Sequence, residues 1–194
     1  MAHPGEVVAH PAGLRITFRE TADQTNGDRL CLDVVMPPGF SVAEHYHPWQ
    51  TERHKVMSGT LWGRVGGQER NYKIGEEAIG PANVPHAWRN PSDHGDLRII
   101  TEHSPVGHIE LMFEAGVPIV RDLTTDKKHA VKHVLRLAVL ADEIKEEVIY
   151  TGMRMRLVMA LLVALSPIGR QRGYGMSFKD IGGHVAAASG KIKR

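Results

Sequence analysis

Gly39-Phe-Ser-Val-Ala-Glu-His45-Tyr-His47-Pro-Trp-Gln-Thr-Glu52-Arg-His54-Lys-Val-Met-Ser-Gly59 is the stretch from which the rest of the chain is best read. His45 and His47 are two apart, and on a strand side chains i and i+2 leave the same face. Both imidazoles can therefore reach one point. Pro48-Trp49-Gln50-Thr51 can turn the chain and return Glu52. A second glycine-framed segment, Gly75-Glu-Glu-Ala-Ile-Gly-Pro81-Ala-Asn83-Val-Pro-His86-Ala-Trp88-Arg-Asn90, brings His86 from a separate part of the sequence.

Three imidazoles and one carboxylate suit a single divalent transition metal per chain. Fe, Mn, Ni, Cu, Co and Zn all remain open, because ligand type alone does not choose among them. Four protein ligands leave room on an octahedral ion for water, a substrate oxygen or dioxygen, and an open position is what makes a metal catalytic. Four polar side chains among apolar strands are otherwise hard to explain. Each would need its own hydrogen-bond partner if buried.

The flanking sequence reads as short strands and turns. Leu14–Arg19, Leu61–Val65, Arg98–Thr101 and Ile109–Phe113 alternate or carry strand formers, and Asn26-Gly27, Pro37-Pro38-Gly39, Gly66-Gly67 and Asn90-Pro91 break them. This pattern predicts a sandwich or barrel. Cys31 is the single cysteine, which excludes an internal disulfide; it reads as a small buried hydrophobe in a strand.

The two framed segments resemble the two motifs of the cupin superfamily. The first fits at Gly39, His45, His47, Glu52 and Gly59, and the second at Gly75, Pro81, His86 and Asn90. Asn83 stands where the family has glycine, and Asn tolerates the left-handed turn conformation. The resemblance covers roughly residues 30–115. It implies an all-β fold, a cupin jelly-roll barrel of six to eight antiparallel strands, with His45, His47, Glu52 and His86 holding the metal inside. It also implies a homodimer formed by packing or exchanging strands. The superfamily spans dioxygenases, isomerases, decarboxylases, storage proteins and sugar-binding regulators, so the reaction stays open.

Around this set, His54 lies two residues beyond Glu52 on the same strand face. It is the candidate acid–base group, since an unperturbed imidazole titrates near neutrality; the alternative is a satisfied strand histidine. Trp49, Met57, Trp62 and Trp88 are candidates for lining a substrate pocket, with Trp49 either at its mouth or packed beneath the loop. A pocket of Trp and Met would favour an apolar or aromatic substrate. His103 and His108 read as loop or surface residues, with a place at the pocket rim as the alternative, and His129 and His133 read as surface residues.

The pattern changes after residue 115. Residues 127–149 carry apolar residues at helical spacing, with Asp126 as a cap and Asp142, Glu143, Glu146 and Glu147 toward solvent. A second helix is expected over Met153–Leu165, capped by Thr151 and ended by Ser166-Pro167. The chain thus divides into an N-terminal arm (1–11), a cupin barrel (12–115), a helical region (126–166) and a basic tail (167–194). Residues 1–150 hold 16 Lys/Arg against 21 Asp/Glu, whereas residues 151–194 hold 8 against one acid, Asp180. The second helix is apolar on nearly every side. It therefore reads as packed on the barrel or on a partner, with contact to a protein or a membrane surface through 153–194 as the alternative.

The N-terminus has no signal-peptide pattern, and the longest apolar run, Leu157–Leu165, is too short to span a bilayer, so a cytoplasmic location is expected. No phosphate-cradling loop, nucleophile elbow or helix-turn-helix is visible, which makes nucleic-acid binding unlikely. The leading expectation is a metal-dependent, dioxygenase-like oxidoreductase, with Fe(II) the favoured metal, acting on a small organic molecule of aromatic or apolar character. A metal-dependent isomerase or decarboxylase, or a non-catalytic small-molecule-binding or partner-docking cupin, is the alternative.

Overall fold

The computed structural model describes residues 2–175. Two antiparallel sheets face one another. The first runs in the order β1 (Val7–Ala9), β2 (Arg15–Glu20), β3 (Leu30–Met36), β10 (Leu97–Ser104), β5 (Thr51–Ser58) and β8 (Glu77–Gly80). The second runs β11 (Ile149–Tyr150), β4 (Ser41–Tyr46), β9 (His86–Arg89), β6 (Leu61–Val65) and β7 (Gln68–Tyr72).

Among the described residues no ladder joins the two sheets, so the expected closed jelly-roll barrel is corrected to an open pair of sheets. The physical reason lies at the edges. β8 is only four residues long and carries no second partner strand. Its Gly80 packs against His86, so closely that a Cβ there would meet the ring at 2.6 Å. The sheets therefore meet through side chains rather than through backbone hydrogen bonds. Leu30, Leu32, Val34 and Met36 of β3 and Leu97 and Ile99 of β10 form much of that contact, each buried. Period-two alternation selects these residues, because a strand shows one face to the core.

Residues after β10 differ from the strand expectation. Ile109–Phe113 is helical: α1 (Ile109–Leu111) passes through a π-turn at Met112–Gly116 into α2 (Val117–Thr125). A short 3-10 turn, Lys127–His129, leads into α3 (Ala130–Ile144). The chain then adds β11 to the second sheet beside β4, pairing Tyr150 with His45, before α4 (Met153–Gln171).

Several local expectations change with this path. α3 begins after His129 rather than at Asp126, whose carboxylate instead accepts from His129 and His133. Thr151 does not cap α4; its hydroxyl donates to Glu44 at 2.6 Å, tying the helical region to β4. α4 continues through Pro167 to Gln171, so residues 167–171 of the expected tail are helical. Gly169 makes this packing close, since a Cβ there would meet the Leu135 carbonyl oxygen of α3 at 2.7 Å. The remainder of the tail, 176–194, lies outside the described residues. The outer side of α4 leaves Met153, Leu157 and Leu161 exposed. Among the described residues, no helix is long and apolar enough to cross a membrane.

Candidate metal centre

His45, His47, Glu52 and His86 converge, each buried, with one donor atom from each lying within 4.8 Å of the others. Strand register produces this. His45 of β4 sits directly across from His86 of β9. The β4–β9 register shifts between Val42 and His45, an irregularity of the kind that re-aims a side chain. Glu52 enters from β5 in the other sheet, so the four donors bridge the two layers.

The three imidazoles are held alike. His45 Nδ1 donates to the Ala43 carbonyl at 2.8 Å, His47 Nδ1 to the Glu147 carbonyl at 2.9 Å, and His86 Nδ1 to the Val84 carbonyl at 2.8 Å. A carbonyl can only accept, so each Nδ1 carries the proton and each Nε2 offers a lone pair. Among the described residues, the Nε2 atoms of His47 and His86 are buried without a hydrogen-bond partner, and His86 Nε2 lies 3.1 Å from Glu52 Oε2. This arrangement fits a metal, because a ligating histidine commonly donates its other N–H to a backbone carbonyl. Asn83 adopts φ +62° and donates its backbone N–H to the His47 carbonyl at 2.8 Å, so the glycine position of the motif is filled without losing the turn.

Protonation states agree with that fit. Burial pushes His45 down to about 4 and also lowers His47. Burial alone would raise the Glu52 carboxyl, but His54, His86 and His103 around it outweigh that cost and hold it well below the usual range. Trp88 Nε1 also donates to Glu52 Oε2 at 2.7 Å. Neutral imidazoles and an ionised carboxylate are the forms that bind metal. These four residues could thus coordinate one divalent metal.

The remaining sequence candidates separate sharply. His54 shares a hydrogen bond with Thr101 Oγ1 at 2.9 Å, and its Nε2 lies 3.3 Å from Glu52 Oε1. Trp88 lines the cavity above the site. Met57 lies on the outer face of β5 with Arg53 and Lys55, because odd positions of that strand point to solvent. Trp62 also faces outward, beneath the Arg64 guanidinium, and Trp49 is 40% exposed in its loop. Of the four pocket candidates, only Trp88 reaches the cavity lining.

Other residues sit at the site although the sequence reading placed them elsewhere. His103 is fully buried opposite Glu52. Its signal was the alternation Leu97, Ile99, Thr101, His103, which puts it on the core face. Glu147 is buried rather than solvated. Its carboxylate accepts from the His108 backbone N–H at 2.6 Å, from the His108 ring, and from Gln50 Nε2 at 3.0 Å. α3 has already ended at Ile144, so helical periodicity could not place Glu147. The Gly107 turn fits tightly against this cluster, since a Cβ there would meet both Gln50 and Glu147 at 2.6 Å. His133 is buried too, whereas Val131 of the expected apolar face is exposed.

Above the donors lies a cavity of about 490 Å³. Its floor includes His45, His47, Glu52, His54 and His103. Its wall is built by the helices, with Phe113, Val117, Leu140, Ile144, Met159 and Leu162 among the lining side chains. Tyr150 stands beside His45, with ring centroids 5.9 Å apart.

Residues 32–101 match the family model described as the cupin domain. The chain carries a cupin-superfamily domain. To this domain it adds a C-terminal helical region and a candidate metal-binding cluster. A curated relative, "Polyketide synthase CurC" of Streptomyces cyaneus, is 28% identical over 82 residues, covering 39% of this chain and 53% of that protein. The chain therefore spans about half the length of this relative. Among solved structures, an RmlC-like cupin from Shewanella frigidimarina is similar with TM-score 0.46 and 19% identity, over 52% of this chain and 84% of that one. A predicted oxalate decarboxylase from Thermotoga maritima gives TM-score 0.46 and 20% identity, over 52% of this chain and 90% of that one.

Proposed function

We propose that this protein is a metal-dependent oxygenase acting on a small apolar organic molecule. The observation that carries the reading is the convergence of His45, His47, Glu52 and His86, the first three of which line the floor of an apolar cavity of about 490 Å³. A divalent transition metal held by these four residues, Fe(II) in the favoured reading, would supply a Lewis-acidic, redox-capable centre for substrate and dioxygen.

The residues of the chain do the rest. The carbonyls of Ala43, Glu147 and Val84 hold the imidazoles in the tautomer that presents Nε2. Trp88 fixes one oxygen of Glu52. The helical wall excludes bulk water and binds the apolar body of the substrate, which strengthens every electrostatic interaction at the floor. His54, held by Thr101 and 3.3 Å from Glu52, is placed to accept or return a proton at Nε2. The Streptomyces cyaneus relative is named a polyketide synthase, and phenols and ketones of that product class suit an apolar cavity of this size.

The buried His54–Thr101 pair also favours a second reading. Proton transfer without net oxidation would make the protein an isomerase or a decarboxylase. One experiment separates these. The full chain is purified anaerobically, loaded with Fe(II), Mn(II), Ni(II) or Zn(II), and given a panel of bicyclic phenols and ketones. Oxygen uptake that disappears in His86→Ala supports the oxygenase. Carbon dioxide release or isomer formation without oxygen uptake replaces it with the second reading. Turnover of none of the panel, with metal and probes bound, would return the protein to a non-catalytic binding role.

A further inference from the structure

The geometry points to His103 as the residue that reads a hydrogen-bonding oxygen on the apolar frame of the substrate. The inference rests on the reading of the cavity as a substrate site.

His103 differs from the other histidines gathered at the candidate metal centre. His45, His47 and His86 each spend Nδ1 on a backbone carbonyl, and His54 spends Nδ1 on Thr101. His103 has no such anchor. Both of its ring nitrogens are buried, and neither meets a hydrogen-bond partner among the described residues. Its Nε2 lies 3.6 Å from Glu52 Oε1, beyond hydrogen-bond distance. The ring is instead held by packing, edge-on to His47 and tilted against Phe113, each with centroids 5.6 Å apart. Position is thus fixed while polar capacity is spare.

His103 also stands outside the four-donor cluster, so metal binding does not account for its free nitrogens. A neutral ring offers one donor and one acceptor. Leaving both unmade in a buried site costs stability, and a ligand that supplies the partner recovers it.

The opposite wall narrows the ligand class. Every residue that α1, the π-turn, α2, α3 and α4 contribute to the cavity lining is apolar. A ligand filling this space is therefore apolar over most of its surface. Its oxygen belongs at the strand floor, beside His103 and the metal donors. A hydroxyl both donates and accepts, so it satisfies His103 in either tautomer.

The test uses the Zn(II)-loaded full chain with 2-naphthol and naphthalene as probes, which differ by one hydroxyl. Wild type is expected to bind 2-naphthol about 10-fold more tightly. His103→Phe keeps the ring and removes the nitrogens. It is expected to bring the two affinities within about twofold while metal content stays unchanged. A preference that survives in His103→Phe overturns the inference, because the oxygen is then read elsewhere. Equal binding of both probes by wild type, or binding of neither, overturns it too. Should His103→Phe fail to fold, wild type decides alone: the His103 ring nitrogen resonances must move with 2-naphthol and stay with naphthalene. Metal content and oxygen uptake on the same preparations report on the oxygenase separately. A protein that turns over no substrate yet discriminates the probes through His103 sinks the oxygenase and leaves this inference standing.

Discussion

The floor of the cavity is made by strands and its wall by helices, and the titratable side chains of the lining all come from the strand side. β4, β5, β10 and the turn after β4 present His45, His47, Glu52, His54 and His103, and β9 adds Trp88. The helices present Phe113, Val117, Leu140, Met159 and similar side chains. Metal donors need positions held to fractions of an ångström, and paired strands with carbonyl-anchored imidazoles provide that. An apolar wall needs only shape and dryness, and it can be rebuilt without moving a donor. Glu147 is the exception. It belongs to the helical region, yet its carbonyl holds a floor histidine and its carboxylate holds the loop beneath.

The contrast is broken hardest by His86→Ala. Metal affinity is expected to fall more than about 100-fold, exceeding the loss typical of removing a supporting partner. The thermal transition should persist, because the sheet keeps its ladders. Elemental analysis beside thermal denaturation checks both, and full metal retention would remove the proposed centre. Leu140→Ala attacks the wall instead. Leu140 is buried in the core and lines the cavity, so its loss should cost about 2–5 kcal/mol. Metal content should remain, and a loss matching that of His86→Ala would show that floor and wall are not separable.

Glu147→Gln tests the exception. It keeps the carbonyl on His47 but weakens the bonds to His108 and Gln50, at an expected cost of about 1–3 kcal/mol in chemical denaturation. Retained stability would mean the carboxylate holds nothing together.

A pH series sharpens the contrast further in metal-free protein. Burial holds His45 at about 4 and His103 at about 3, against 6.5 for a free imidazole. Between those values the unfolded chain binds more protons than the folded one, so stability rises with pH and is lost on acidification. His108 acts in the opposite sense: Glu147 raises it, so its contribution is full below 6.5 and fades as pH climbs through the raised value. Removing one low-titrating group by His103→Phe should reduce the slope by about 1.4 kcal/mol per pH unit across the acidic range. Urea midpoints at several pH values give that slope, and an unchanged one would place His103 in water. The smallest effect belongs to the outer face. Met57→Ala should leave metal content intact and stability within about 0.5 kcal/mol, since Met57 is 42% exposed on the side of β5 away from the donors. A clear metal loss there would contradict the placement of β5.

Legibility in the sequence followed the range of the interactions. His45, His47 and Glu52 lie within one strand–turn–strand segment, so spacing alone suggested that they meet. The motif with His86 pointed to a cupin domain, which residues 32–101 match. Met57 and Trp62 were misplaced because composition around a site says nothing about which face a strand shows; the alternation from Glu52 and Leu61 sends both outward. Ile109–Phe113 looked like a strand because a short apolar run carries no period of its own. Barrel closure was inferred from resemblance, whereas the short edges of this chain end each sheet unjoined.

The sequence by itself pointed to the candidate donor set and to the alternating strands that carry it, because those follow from local spacing within two short segments. Only the tertiary structure decided that the helical region walls the cavity, that Glu147 lies beneath His47, and that His103 faces Glu52 across a ladder. Those contacts join segments far apart in sequence. Burial and partnership at such distances are set by packing, which leaves no local period to read.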